Sequence, residues 1–185
     1  MIILEGPDGA GKTTLLRTLQ HKFPEIETAP RFSTSEEGPV QSLGIKVATD
    51  LNSWWSKPLH FYDRHPFISE LIYGPIMRSE VKDDLHKVDF AALRDKFFSK
   101  SLIIVCLPGE YTCRKNLSKE PQMPGVVEKY GQLYRAYQAF LRNRTSQVLN
   151  PNVIWYDYEM HTTDYIEDKI KQHQYIWENR KGLDI

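Results

Sequence analysis

The chain has 185 residues, 41% of them hydrophobic and 26% charged, which suits one compact domain with a real core and excludes a disordered or fibrous protein. Lysine plus arginine and aspartate plus glutamate number 24 each, so the formal net charge is zero. That balance argues against a broad non-specific nucleic-acid surface, although it permits a local basic groove.

The first apolar run, Ile2-Ile3-Leu4, predicts a strand over Ile2 to Glu5, with no basic-then-apolar leader before it. A helix follows with Leu15, Leu16, Leu19 and Phe23 on one face, ending before Pro24. A short second strand is expected over Ile26 to Ala29. Gly38-Pro39 opens a helix with the stripe Val40, Leu43, Val47, Leu51. Strand three covers Leu59 to Tyr62 and ends at Asp63. Pro66 starts a helix with Phe67, Ile68, Leu71 and Ile72 inward, and a charged helix spans about Val81 to Ser99. Strand four is Leu102 to Leu107. A short helix after Pro108-Gly109, a loop over Lys119 to Gly125 and a long helix over Val126 to Asn143 follow. Strand five is Val153 to Tyr158. Asp164, with Glu167 three residues on, reads as a capped start to a helix reaching about Asn179.

Strands alternating with helices predict an α/β fold: a five-stranded parallel sheet flanked by helices on both faces, in one domain over 1–185 with a short lid near 110–125. Ligands in such sheets lie at the carboxyl ends of the strands. Cys106 and Cys113 are too few for a disulfide scaffold and lack metal-ligand spacing, so reduced thiols in a cytoplasmic protein are expected. The apolar runs are far shorter than a membrane span, so no membrane partner is expected.

Between strand one and its helix stands Gly6-Pro7-Asp8-Gly9-Ala10-Gly11-Lys12-Thr13, a G-x-x-x-x-G-K-T phosphate-binding loop in its strand–loop–helix context. Glycines let backbone N–H groups approach phosphate oxygens, and the helix N-terminus adds partial positive charge. The nucleotide set is therefore Gly6, Asp8, Gly9, Ala10, Gly11, Lys12, Thr13 and Thr14. Lys12 reaches the β- and γ-phosphates of ATP and the Thr13 hydroxyl ligates Mg²⁺. Asp63, ending an apolar strand, suits Mg²⁺ held through water or acceptance of a proton from an attacking hydroxyl. Arg64 suits bidentate clamping of phosphate. The competing reading makes Asp63 a cap for the helix at Pro66, with Arg64 on the surface.

The run E-G-P-D-G-A-G-K-T-T, followed by F-Y-D-R-H with Ser69-Glu70 beyond it, resembles the thymidylate kinase family, with deoxynucleoside kinases more distant. The resemblance implies that Asp63 and Arg64 stand between the two substrates and that Arg64 helps hold the acceptor. Arg31 takes the place of the family's acceptor-phosphate arginine, in a segment that otherwise departs from the family pattern. His65 replaces the usual aromatic. The short lid offers Arg114, Lys115 and Lys119. Ala10 leaves the loop without an arginine of its own, so Arg114 is the expected source of charge on the transferring group, against the alternative of a solvated basic face. Trp54 is a candidate for stacking on the acceptor base, with core packing the default for it and Trp55. The stripe Tyr130, Leu133, Tyr134, Tyr137, Leu141 reads as a packing face. His65 belongs to the acceptor set through its neighbours, or caps the following helix.

Three acceptor readings stay open. A dTMP-like monophosphate needs cations, for which Arg31, Arg64 and Arg78 are candidates. A hydroxyl acceptor needs a base, for which Asp63 serves; it is a nucleoside, or 5-hydroxymethyluracil within DNA, as in a bacteriophage branch of the family acting in the host cytoplasm. The third is a nucleotide-dependent switch with no acceptor, for which no N-K-x-D motif is found. Related kinases are often homodimers through helices beside the site.

Overall fold

The computed structural model describes residues 1–30, 43–53, 58–77, 90–119, 122–145 and 152–180. Five strands form one parallel sheet: β1 (Ile2–Glu5), β2 (Glu27–Thr28), β3 (His60–Asp63), β4 (Leu102–Cys106) and β5 (Val153–Tyr156). Their order is β2-β3-β1-β4-β5. The helices described are α1 (Lys12–Lys22), α2 (Leu43–Ser53), α3 (Pro66–Met77), α4 (Phe90–Lys100), α5 (Glu110–Leu117), α6 (Tyr130–Thr145) and α7 (Thr163–Arg180).

The strand order follows from hydropathy. Every residue of β1 and β4 is buried, as central strands covered on both faces require. The edge strand β5 leaves Trp155 partly exposed. From β1 the chain moves through α1 toward β2, and every later crossover runs the other way. Right-handed connections therefore put α1 on one face and α2 to α6 on the opposite face. Lys22 of α1 pairs with Glu167 of α7 at 3.3 Å, which places α7 beside α1.

Leu15, Leu16, Leu19 and Phe23 are buried, each removing apolar area worth roughly 1.5–3 kcal/mol. On the other face Phe67, Phe97 and Phe98 pack ring against ring, with centroids 4.6 Å apart for Phe67–Phe97.

Several expected boundaries shift. The long helix starts at Tyr130 rather than Val126, because Gly125 takes a positive φ and residues 123–129 close turns such as Val126 N–H to the Met123 carbonyl (3.1 Å). Leu71, expected inward, lies on the exposed side of α3. Asp164 sits within the first turn of α7, where its charge complements the helix dipole, and Glu167 turns to Lys22 instead of completing a cap. Residues 39–42 and 81–89 of the expected helices lie outside the described residues, as do Arg31, Trp54, Trp55 and Arg78. Among the described residues no helix is long and apolar enough to cross a membrane.

Candidate active site

The phosphate-binding loop leaves the end of β1, where Leu4 lies in register with Asp63 of β3 and with Ile104 of β4. Two of its glycines are required by close approach. Gly6 and Gly9 have positive φ (142° and 75°), and a Cβ at either would strike a backbone carbonyl, that of Cys106 or of Cys113. Gly11 caps α1 in the left-handed region, with the Tyr158 ring against it. Asn116 of α5 binds the loop from outside: its Nδ2 donates to the Gly9 carbonyl (3.0 Å) and to the Tyr158 hydroxyl (3.1 Å). The α1 N-terminus therefore opens onto the loop with Thr13 and Thr14 exposed, as anion binding needs. Lys12 is buried and donates from Nζ to the Pro7 carbonyl (2.8 Å). Burial first, then the charge of Arg64, pushes its ammonium pKa down to about 8.

On the other side of the loop lies a charged network built on Arg64. Its backbone has φ 68°, a left-handed conformation that costs a bulky residue roughly 1–3 kcal/mol. That turn carries the chain off β3 while Arg64 N–H still reaches the Leu4 carbonyl at 3.0 Å. The guanidinium Nη2 donates to Asp8 Oδ1 (2.6 Å) and to the Tyr73 hydroxyl (3.2 Å), and Nη1 donates to the Tyr137 hydroxyl (3.0 Å). Tyr73 in turn donates to Asp8 Oδ2 (2.9 Å), and Tyr137 donates to Glu5 Oε2 (3.0 Å). Glu5 Oε1 accepts from the His65 N–H (2.8 Å) and the Ser69 hydroxyl (3.3 Å).

Electrostatics follow this wiring. Burial raises the Glu5 carboxyl pKa, against the pull of Arg64. Burial also acts to raise Asp8, but Arg64 and Lys12 outweigh it and hold Asp8 below the usual carboxylate range. Burial opposes the Arg64 charge, yet Tyr73, Asp8, Tyr137 and Glu5 raise its pKa well above the ordinary value. The pair is thus anion and cation at neutral pH.

Lys12, Asp63, Arg64 and the loop come together at the carboxyl ends of β1 and β3, and Asp63 is near enough to act on the Lys12 charge. Arg64 differs from its expected form. Both bidentate edges of a guanidinium include Nη2, and Nη2 is engaged by Asp8 and Tyr73, so Arg64 as it stands offers phosphate no complete fork.

His65 is fully buried, its ring packed at a tilt against Tyr62 and Phe97, and its Nδ1 accepts the Phe67 N–H (3.2 Å). It caps α3, the second of its two expected roles, because the left-handed turn at Arg64 sends the next side chain into the core. Burial lowers its pKa, so the ring is neutral. Arg114 points from α5 to the start of α6, bonded to Glu110 Oε1 through Nε (2.9 Å) and Nη2 (2.8 Å) with its guanidinium 5.0 Å from the Tyr130 ring centroid. The first half of the expected lid is this helix, which holds the loop through Cys113 and Asn116.

Sequence reasoning missed Glu5, Tyr73, Asn116 and the polar ends of the tyrosine stripe. Tyr130 donates to the Asp8 carbonyl (2.8 Å), Tyr134 to the Pro108 carbonyl (2.8 Å) and Tyr137 to Glu5, so a face read as packing also braces the loop. The available signal was chemical: a buried phenol needs a partner where phenylalanine would not.

The residues that could hold Mg²⁺ are one exposed hydroxyl, Thr13, and one strand-end carboxylate, Asp63. Among the described residues no group of three His, Cys, Asp or Glu side chains could hold an ion alone. This fits a cation carried mainly by nucleotide phosphates and water.

Sheet order, phosphate loop and flanking helices together define the P-loop α/β fold seen in nucleotide kinases. The fold is similar to that of the YorR protein from Bacillus subtilis, solved in complex with phosphorylated GDP, at 18% identity, with 91% of this chain and 92% of that one covered and a TM-score of 0.63. It is also similar to deoxyadenosine kinase from M. mycoides with products dCMP and dCDP bound, at 16% identity over 95% and 98% of the two chains, TM-score 0.58. The dATP-bound form of that kinase aligns at 17% identity over 92% and 97%, TM-score 0.53. No family model and no curated protein matches the sequence.

Proposed function

We propose that this protein is an ATP-dependent phosphotransferase whose acceptor is a thymidine-type nucleoside or nucleotide. The observation that carries the proposal is the meeting of Asp63 and Arg64 with the phosphate loop, Arg64 being hydrogen-bonded to Asp8 within it. A nucleotide switch has no need of a strand-end arginine wired into the loop.

In this reading Lys12 and the loop N–H groups hold the β- and γ-phosphates of ATP. Thr13 and Asp63 would hold Mg²⁺, which when bound neutralises phosphate charge. The acceptor oxygen attacks the γ-phosphorus in line, the bond to the β–γ bridging oxygen breaks, and ADP leaves. Position and charge supply most of the catalysis. Arg114 reaches the transferring group only by leaving Glu110, and an exposed ion pair worth about 0.2–1 kcal/mol does not prevent that.

Two acceptor classes fit. A dTMP-like monophosphate draws on Arg31 and Arg78 besides Arg64. A hydroxyl acceptor, a deoxynucleoside or a 5-hydroxymethyl group on uracil in DNA, gives its proton to Asp63. One observation favours the hydroxyl: the Arg64 charge is already matched by Asp8, and its forks are engaged. The likeness to a deoxyadenosine kinase supports the same direction.

The test is transfer from γ-labelled ATP to thymidine, dTMP, 5-hydroxymethyl-dUMP, plain DNA and DNA containing 5-hydroxymethyluracil. Label on thymidine or on the modified base supports the hydroxyl reading with Asp63 as base. Label on dTMP alone restores the monophosphate reading. Label on none, with ATP bound, overturns the phosphotransferase proposal.

A further inference from the structure

We propose that Tyr137, on α6, is a positioning residue for phosphoryl transfer, holding the Arg64 guanidinium on the loop from a buried Glu5 anchor. The proposal rests on the phosphotransferase reading and adds to it a residue that touches neither substrate.

A phenol has one proton to give. Tyr137 gives it to Glu5 Oε2 (3.0 Å), which leaves its oxygen lone pairs to accept from Arg64 Nη1 (3.0 Å). The other Glu5 oxygen accepts the N–H of His65, the residue after Arg64. One carboxylate therefore grips Arg64 at both ends: the backbone through His65 and the guanidinium through Tyr137. The hydrogen bonds close a ring around a residue in a left-handed conformation that the chain alone would not favour.

Tyr73 repeats the pattern on the open side, giving its proton to Asp8 and accepting from Arg64 Nη2. The two tyrosines meet edge to face, with centroids 6.3 Å apart. The two grips differ in burial. Glu5 and Tyr137 are fully buried, whereas the Asp8 side chain keeps 28% of its exposure. The partly exposed Asp8 carboxylate can exchange for a substrate oxygen and the buried pair stays fixed, so Tyr137 is the pivot on which Arg64 keeps its place when Asp8 lets go.

The variant is Tyr137→Phe, which keeps the ring and removes the hydroxyl. With Arg64 present, kcat should fall about 10- to 100-fold while KM for ATP stays within about twofold. In an Arg64→Ala background the same change should have no further effect on kcat. An equal loss in both backgrounds, or wild-type kcat in the single variant, overturns the proposal. A readout independent of activity is the side-chain ¹⁵N spectrum, with Arg64 identified by Arg64→Lys. Wild type should show resolved Arg64 Nη signals from slow rotation, and Tyr137→Phe should merge them. Unchanged signals overturn the proposal even if no acceptor is ever phosphorylated, an outcome that would sink only the kinase reading. Should Tyr137→Phe fail to fold, Glu5→Gln weakens the same anchor. It must then give a smaller kcat loss that again depends on Arg64, and a loss independent of Arg64 overturns the proposal.

Discussion

The phosphate loop is held from two sides by different physics. On the α5 side the contacts are neutral and fall on the backbone: Asn116 on the Gly9 carbonyl, Gly9 against the Cys113 carbonyl, Tyr158 against Gly11. On the α3 and α6 side Tyr130 adds one neutral contact to the Asp8 carbonyl, but the rest are charged and run through side chains, from Asp8 to Arg64 to Tyr73, Tyr137 and Glu5. Neutral backbone contacts fix a shape and tolerate little added volume. Charged side-chain contacts fix a position while leaving room for exchange when a substrate arrives. The loop's form is held mainly from α5, and the placement of its reactive charges from α3 and α6.

The largest expected break comes on the neutral side. Gly9→Ala puts a methyl into the Cys113 carbonyl at a positive φ, so the loop must open. A loss of at least about 1–3 kcal/mol of stability is expected, together with loss of triphosphate binding. Thermal melting and ATP-analogue titration read both, and unchanged binding would mean that the loop is not shaped by this contact.

Asp8→Asn and Asn116→Ala sharpen the contrast. Removing the Asp8 charge leaves Arg64 without its anion and should cost about 1–2 kcal/mol, less than a fully buried pair because both groups keep some exposure. That loss should shrink in high salt. Asn116→Ala removes neutral bonds, about 1 kcal/mol, with no salt dependence. Equal salt dependence in the two melting series would erase the distinction.

The smallest effect is on pH. The Lys12 ammonium, with its pKa pushed down to about 8, is charged below that pH and neutral above it. Because the charged form attracts phosphate, triphosphate affinity should be flat below about pH 8 and fall as pH rises past it. Titration calorimetry across pH 6.5 to 9.5 (a range set roughly around the ordinary and shifted lysine values) checks the direction. Rising affinity would contradict it.

The neutral side was the more legible in sequence. Glycines demanded by close approach leave a fixed spacing, and the wholly buried strands β1 and β4 leave unbroken apolar runs, so the loop and the centre of the sheet are plain in the sequence. The charged side was half hidden. Periodicity records which side chains turn inward and not what their far ends touch, so Tyr73 sank into α3 and Tyr137 into a packing stripe. Glu5 read as the last residue of a strand, although a carboxylate ending a wholly buried strand needs partners. His65 carries two readings in sequence, part of the acceptor set or a cap for the following helix. Its place beside Asp63 and Arg64 suggested the site, but one left-handed residue reverses the direction of the next side chain, and no hydropathy pattern records that.

The most direct measurement is a comparison of wild type with Arg64→Ala for ATP binding and for label transfer to the best acceptor. The placement of Arg64 on the loop predicts triphosphate affinity within about threefold, since Lys12 and the loop remain, and transfer reduced at least about 100-fold. Transfer near the wild-type rate would contradict it, because Arg64 would then be no more than a brace for the loop.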